Sequence, residues 1–322
     1  MSDNRTLLTD MASGLFADLA GKPFDIAWPQ VAEAGFSTLL VPEDKGGFGG
    51  DWGDVLAVLR LAGLNALAAP LAEPVIAHWL LAGAGIAAPA NISGGLISIA
   101  APSQRVPYGR HAAAVVHVAD GTLSLYHADA CSFDEALSPA GEPWDGVTFT
   151  GAAAASAPCA ADLLALGAFA RVAMASGAME AAFTLAIDHV NTRVQFGRAL
   201  AKFQAVQQAM AEFSEEAAAI DASAAACAAA LDYGHASFEI AAAKLRMGLA
   251  VDRAVPIAHR MHGAIGFTIE YALNHLTRRL MGWRSEFCGD AFWAERLGRR
   301  VAGLGGAGLW REMAARTDRL VG

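Results

Sequence analysis

The sequence is poor in charged residues and in cysteine, and each shortage excludes a class of function. Asp, Glu, Lys and Arg make up 17% of the 322 residues, and the net charge is -9. Lys and Arg form no long cluster, so the chain lacks the basic face that general nucleic-acid binding requires. The four cysteines have neither metal-ligand spacing nor a disulfide framework, and we expect free thiols: Cys131, Cys159, Cys227 and Cys288.

Long apolar runs are also missing from a sequence that is otherwise rich in apolar residues. No uninterrupted run reaches the length of a membrane span, and no basic-plus-apolar signal sequence opens the chain. We therefore expect a cytoplasmic protein without a membrane span. Hydrophobic residues are 55% of the chain, many of them alanine, which excludes a disordered chain and favours closely packed helices.

The hydrophobic pattern divides the chain into three parts. Residues 1–94 have helical spacing, with apolar residues at Leu8, Met11, Leu15 and Leu19. Residues 95–155 contain short strand-like segments, two of which flank the hairpin turn Asp120-Gly121. Residues 156–322 are helical again, with three- and four-residue steps from Phe169 to Val194 predicted as one helix. The predicted fold is therefore mainly α with a small β insert: an N-terminal helical domain, a reduced β domain and a C-terminal four-helix bundle.

A first cluster of functional candidates lies where two long helices of the bundle meet. An Arg one turn before a Gly break, at Arg193 and Gly197, can hold a phosphate through a forked, charge-assisted contact. Phe196 can cover an aromatic ring, and Gln204 can bond an adenine or ribose edge. The alternative is an ordinary helical corner with an exposed arginine and a core phenylalanine.

This cluster resembles the acyl-CoA dehydrogenase signature in both residue types and spacing. The matching string is Arg-x-x-Phe-Gly-x-x-Leu-x-x-Phe-Gln-x-Val-Gln, which begins at Arg193. In that family the Arg, Phe and Gln reach FAD that is bound mainly by the neighbouring subunit. The resemblance therefore implies FAD-contacting roles for Arg193, Phe196 and Gln204.

A second cluster resembles the His-Gly-Gly-Ile-Gly-Phe-Thr segment with which the family contacts FAD across the dimer. Glycines at a helix end leave the backbone open to a phosphate. The resemblance implies that Arg260, His262, Gly263 and Gly266 contact the cofactor. Two residues depart from the family pattern, because Ala264 replaces the second glycine and Arg260 stands where glutamine is usual.

Two further regions compare differently with the family. Residues 30–43, continued by the glycines at 46–50, resemble the first-domain motif that shapes the acyl pocket. Residues 99–106 replace the family's Thr-Glu-Pro…Gly-Ser-Asp segment, whose backbone and hydroxyl groups bond the flavin ring. The acid and the later Gly-Ser-Asp are missing, and the sheet is short, so this stretch lacks the residues that make the family's flavin-ring contacts.

The resemblance implies a reaction in which a carboxylate removes the α-proton of an acyl-CoA thioester and the β-hydride passes to flavin. Of the family's two positions for that base, one holds Ala170, which cannot act as a base. Near the other lies Glu286, which we predict as the base; its alternative is a solvated carboxylate paired with Arg284. Arg171 and Tyr271 are the predicted substrate-binding residues.

Three hypotheses about assembly follow from the resemblance. In the first, the chain is a homo-oligomeric, FAD-dependent acyl-CoA dehydrogenase in which Glu286 is catalytic. In the second, it resembles the subunits of heteromeric, steroid-type bacterial members, and a second acyl-CoA dehydrogenase subunit supplies the base and the flavin-ring contacts. Electron-transfer flavoprotein is the expected electron acceptor in both. The third hypothesis is a helical scaffold that has lost its flavin site.

Overall fold

The first part of the chain forms a layer of helices around an apolar core. A computed structural model describes residues 3–89, 95–101 and 104–321. Its N-terminal helices are α1 (Asp3–Leu19), α2 (Phe24–Glu33), α3 (Trp52–Leu64) and α4 (Ala72–Gly83). Helix α3 begins at a capping box, in which Asp51 and Asp54 each accept a hydrogen bond from the other's backbone N–H.

The middle part forms two small sheets. Their strands are β1 (Leu96–Ala100), β2 (Arg105–Pro107), β3 (Ala112–Ala119), β4 (Thr122–His127), β5 (Cys131–Asp134), β6 (Trp144–Phe149) and β7 (Ala155–Pro158). One sheet has the order β1-β3-β4-β7 and the other β2-β6-β5. The predicted hairpin turn is confirmed, because Asp120 and Gly121 join β3 to β4 with φ of 49° and 73°. Pro102 and Ser103 of the divergent 99–106 stretch lie outside the described residues.

The last part is a helical bundle built around one long central helix. It contains α5 (Leu163–Thr192), α6 (Gln204–Asp232), α7 (Ser237–His262), α8 (Ala272–Ser285) and α9 (Asp290–Val321). By length and composition alone α5 could cross a membrane, but 94% of its most apolar window is buried inside the protein, as in the core helix of a bundle. The predicted fold class, mainly α with a small β insert, is confirmed.

The prediction that α5 continues to Val194 is wrong. The helix ends at Thr192, and the chain then forms a two-stranded hairpin of β8 (Val194–Gln195) and β9 (Arg198–Ala199). Phe196 and Gly197 make its turn with φ of 51° and 76°, a left-handed conformation that a helix does not allow. Val194 has helical spacing from the core residues before it, but it is 59% exposed on the hairpin.

Helices α3 and α5 cross with their backbones in contact, and this crossing positions the charged centre described below. A Cβ atom on Gly63 would lie 1.8 Å from the carbonyl oxygen of Met174, and one on Gly177 would lie 1.8 Å from that of Arg60. Only glycine allows so close an approach. The crossing fixes the loop from α3 to α4, so that the first turn of α4 lies beside the first half of α5.

Candidate functional site

The hairpin between α5 and α6 presents the first cluster of predicted residues to the surface. Arg193 is the C-cap residue that follows α5, and Gln204 is the first residue of α6. Both side chains are exposed. Phe196, at the tip, is 89% exposed. The alternative of a core phenylalanine is therefore wrong. An exposed phenylalanine in a strained turn beside an arginine is typical of a contact surface rather than of a folding core.

The glycine turn after α7 lies at the same end of the bundle as the hairpin. His262, the last residue of α7, is buried and stacks on His189 of α5, with ring centroids 4.6 Å apart. Nδ1 of His262 lies 2.8 Å from the carbonyl oxygen of Ala258. The stack connects the ends of α5 and α7, so that Arg193 and Gly263 belong to one surface. We name this surface, residues 193–204 with 260–267, the open corner.

The backbone of the glycine turn is open on one side and tightly packed on the other. Gly263 has φ of 65°, and a Cβ built on it meets no atom within 4 Å. Gly266 is buried, and a Cβ there would lie 3.0 Å from Cβ of His262. Arg260 and Ala264 are exposed beside them. The predicted residues of the second cluster are therefore brought together, with Gly263 available to an outside group and Gly266 required for packing.

Glu286 lies at the other end of α8, in a buried ion-paired cluster. Nε of Arg171 donates a 2.6 Å hydrogen bond to Glu286, and the same guanidinium donates one of 2.7 Å to Glu73. All three side chains are under 10% exposed. Burial raises the pKa of Glu286, although Arg171 counteracts it. Burial tends to lower the pKa of Arg171, but the two carboxylates outweigh it and the pKa is raised.

The structure corrects the pairing suggested for Glu286 as a solvated carboxylate. Arg284 donates instead to Asp290, at 2.6 and 2.9 Å, and is also paired with Asp252. Glu286 leaves α8 in an extended conformation, with φ of -66° and ψ of 143°, and its side chain is buried, whereas Arg284 in the last turn of α8 is partly exposed. Sequence spacing alone favours a pair between Glu286 and its near neighbour Arg284. The ion pair that forms joins Glu286 to Arg171, 115 residues away along the chain.

A buried lysine that the sequence analysis missed fixes the turn that carries Glu286. Nζ of Lys244, on α7, donates to the carbonyl oxygens of Trp283 and Arg284 at 2.5 and 2.9 Å. These carbonyls belong to the last turn of α8, where backbone acceptors lack helical partners. Burial lowers the pKa of Lys244 to about 7. A lone lysine on an otherwise apolar helix face was the feature that could have identified it.

The residues after Glu286 adopt a strained conformation that the surrounding structure supports. Phe287 and Cys288 have φ of 52° and 70°, the left-handed region that non-glycine residues rarely adopt. The indole N–H of Trp293 donates to both of their carbonyl oxygens, at 3.1 and 3.2 Å. The Phe287 ring lies against Gly167, where a Cβ would be only 2.3 Å from it.

The space beside Glu286 is very small. A cavity of about 30 Å³ is lined by Glu73, Arg171, Glu286 and residues of the β region, among them Glu142. Glu142 is in turn paired with Arg279 of α8 at 2.7 Å. Ligand pockets are usually about 300–1,000 Å³, whereas ~30 Å³ corresponds to roughly one water molecule. We name this cavity and its charged lining the closed centre.

Tyr271 and Arg171, which were predicted together as substrate-binding residues, lie in different places. Tyr271 immediately precedes α8, and its ring centroid is 5.3 Å from that of His262 at the open corner. Arg171 lines the closed centre. Helix α8 has 14 residues between the two regions, which at 1.5 Å per residue is about 20 Å.

Residues 158–285, from the end of the β region to the end of α8, match the family model described as "Acyl-CoA dehydrogenase, C-terminal domain". The match covers less than half of the chain, and this part of the chain is similar to the C-terminal domain of the acyl-CoA dehydrogenase family. Members of the family are FAD-dependent oxidoreductases.

A curated relative and two solved structures are similar to the chain. The relative is the 3-sulfinopropanoyl-CoA desulfinase of Paraburkholderia xenovorans (strain LB400), 32% identical over 105 residues, a stretch that covers 33% of this chain and only 27% of the desulfinase. A variant of the Tcur3481–Tcur3483 steroid ACAD has a TM-score of 0.84 at 22% identity, over 94% of this chain and 98% of that one. The ChsE4–ChsE5 complex from Mycobacterium tuberculosis has a TM-score of 0.78 at 19% identity, with the same coverage. At these identities the structural matches show the acyl-CoA dehydrogenase fold.

The open corner and the closed centre differ in which part of FAD they have room and suitable groups to hold. The open corner offers exposed arginines, an exposed aromatic ring and an open glycine backbone, which suit a pyrophosphate and an adenine. The closed centre has a volume of about 30 Å³, which is too small for a flavin ring or an acyl chain. The open corner therefore fits the nucleotide end of the cofactor, whereas the closed centre, at about 30 Å³, has no room for the ring end.

Proposed function

We propose that this chain is a subunit of a heteromeric acyl-CoA dehydrogenase and contributes its open corner to FAD bound mainly by a different subunit. The observation that carries the proposal is the ion pairing of Glu286 in a cavity of about 30 Å³. A base must be within hydrogen-bond reach of the substrate proton, and Glu286 has Arg171 at that distance instead. The two solved complexes named above, a steroid ACAD and ChsE4–ChsE5, have chains of this fold and support the same assembly.

In the proposed assembly, the residues of this chain bind and orient the nucleotide end of the cofactor. Arg193 and Arg260 pair with the pyrophosphate, and the open backbone at Gly263 lets it approach closely. Phe196 covers the adenine, and Gln204 bonds its edge or the ribose. FAD, when bound, accepts the hydride that leaves the acyl-CoA, and electron-transfer flavoprotein is the proposed acceptor of its electrons.

Substrate chemistry then takes place on the other subunit. That subunit supplies the carboxylate that removes the α-proton and the groups that contact the flavin ring. This chain keeps water out of the shared cofactor site through the apolar residues that its open corner exposes, Val194, Phe196, Ile265 and Phe267. The acyl group of the substrate is proposed to be bulky, because one of the similar solved structures is a steroid ACAD.

The test is to purify the chain alone and together with candidate partner acyl-CoA dehydrogenase chains from the same genome. We expect a colourless protein alone and a flavin spectrum from the complex. Arg193→Gln should lower the flavin content of the complex, while the matched exposed control Arg299→Gln, on α9, should not. A yellow chain that is reduced by an acyl-CoA without any partner would contradict the proposal.

The second candidate function is a homomeric enzyme in which Glu286 is the base. One observation favours it: burial raises the pKa of Glu286, as a general base near neutral pH requires. In that case substrate binding must separate Glu286 from Arg171 and enlarge the closed centre. Flavin reduction by the chain alone, lost in Glu286→Gln, is the result that this candidate predicts.

A further inference from the structure

A large cleft lies in the helical part of the chain, beside the residues that precede α8 and outside the residues named as the open corner. It has a volume of about 790 Å³ and lies between the loop after α1, the end of α3, the middle of α5 and the start of α8. Most of its wall is apolar, with contributions from Pro23, Leu64, Ala181, Leu185 and Leu276. Pockets of about 300–1,000 Å³ with such walls hold small molecules. The cleft therefore has the size and lining of a site for an apolar group.

The charges around this cleft cancel, which argues for an uncharged ligand. Two cationic and two anionic side chains line it: Lys22, Arg279, Glu180 and Glu270. Glu180 is ion-paired with Arg60, and Arg279 with Glu142. An ionised group entering the cleft would lose hydration without meeting a net opposite charge. Exposed Thr184 and half-buried Asn65 offer hydrogen bonds to a single oxygen at the edge.

The ion pair between Arg279 and Glu142 separates this cleft from the closed centre. Arg279 lines the cleft, whereas Glu142 lines the cavity of about 30 Å³ that contains Glu286. Their side chains are 2.7 Å apart, and Arg279 is only 7% exposed. A molecule in the cleft is therefore separated from Glu286 by an ion pair between a buried arginine and a half-buried glutamate.

We infer that this cleft binds an uncharged, mainly apolar group of sterol or long-chain size, at a site distinct from the closed centre. The inference rests on the volume, the apolar wall and the charge balance of this chain alone. It does not depend on the heteromeric assembly proposed above, because the cleft is formed within one chain.

Equilibrium dialysis of the purified chain, in its assembled form if it requires a partner, tests this inference. The probes are progesterone and 1-decanol, one polycyclic and one linear, with sodium decanoate as the charged counterpart of the alcohol. We expect saturable binding of at least one neutral probe, and which of the two binds better distinguishes a ring system from a chain. Thr184→Trp, which fills the mouth of the cleft from an exposed position, should weaken that binding by about tenfold or more.

The control is Ala225→Trp, which adds the same indole to an exposed position on α6 outside the cleft lining. It should leave the affinity within about twofold of the unmodified chain. If Thr184→Trp does not fold, Ala181→Leu reduces the same space with a smaller side chain. Absence of saturable binding by either neutral probe, retention of binding in a folded filled variant, or a clear preference for decanoate over decanol would each overturn the inference.

Discussion

The open corner and the closed centre lie toward opposite ends of α5 and have opposite properties. At the corner, side chains suited to contact a nucleotide are exposed, with Phe196 at 89%. At the centre, Arg171, Glu73 and Glu286 are buried and pair with one another. An exposed aromatic needs a partner outside the chain, whereas a buried ion cluster is complete within it. The contrast supports the proposal that the chain acts through a surface that it presents to a neighbouring subunit.

The largest effect should come from breaking the closed centre. Arg171→Met leaves two buried carboxylates without a cation and should lower the free energy of unfolding by about 3–5 kcal/mol. Urea denaturation measures it. The matched control replaces the whole cluster, Glu73→Gln with Arg171→Met and Glu286→Gln, and should recover most of the loss. A loss under about 1 kcal/mol for the single variant would show that the cluster is not a stabilised unit.

A substitution at the open corner should leave the stability of the chain unchanged but weaken its binding to the partner subunit. Phe196→Ala removes an exposed side chain, so its free energy of unfolding should change by no more than about 0.5 kcal/mol. Its affinity for the flavin-containing partner should nevertheless fall by about tenfold, because a central aromatic dominates such contacts. Calorimetric titration of the two subunits measures this. Phe48→Ala, at a half-exposed N-terminal position, is the control and should leave affinity unchanged.

The sequence predicts a region well when the residues that form the region are close together along the chain, and poorly when they are far apart. The corner motif from Arg193 to Gln207 is local, and its residue types and spacing were enough to predict which residues share a surface. The centre joins Arg171 to Glu73 and Glu286, which lie 98 and 115 residues away. No periodicity predicts such pairs. The prediction of Glu286 as a base came from its position in the family resemblance, which does not show that Arg171 faces it.

The fold shows the same difference between features formed by neighbouring residues and features formed by residues far apart along the chain. Helix periodicity predicted the bundle, and the Asp120-Gly121 pair between strand-like segments predicted the hairpin turn, since both depend on neighbouring residues. Helix periodicity also placed Val194 in α5, because an apolar residue at helical spacing is equally compatible with a hairpin. The crossing at Gly63 and Gly177 was not predicted, because the need for glycine arises only when two distant helices meet.

A smaller effect is expected in the pH dependence of the free energy of unfolding, through Lys244 beside the closed centre. Lys244 has a pKa of about 7 in the folded chain and about 10.5 when exposed. Between these values the unfolded state binds more protons, so stability rises with pH across this window and this contribution is lost as pH falls toward 7. Urea unfolding at pH 7, 8 and 9 measures the slope. Lys244→Met should flatten it, and an unchanged slope would exclude a neutral buried lysine.

The smallest expected effect concerns Ala264, which replaces a glycine of the family motif at the corner. Ala264→Gly removes a Cβ beside the open backbone of Gly263 and should let a pyrophosphate approach more closely. We expect flavin retention by the complex to improve by roughly two- to threefold, which is under 1 kcal/mol. Dialysis against buffer, followed by absorbance, measures the retained flavin. Weaker retention would place the pyrophosphate elsewhere.

The most direct test of the account is Glu286→Gln in the assembled complex, because it separates a structural carboxylate from a catalytic base. The complex is mixed anaerobically with its acyl-CoA substrate, and flavin bleaching is followed by stopped-flow absorbance. If catalysis belongs to the other subunit, the bleaching rate should stay within about threefold of the unmodified complex. A fall of about a hundredfold or more, in a complex that keeps its flavin and its melting temperature, would contradict the account and identify Glu286 as the base.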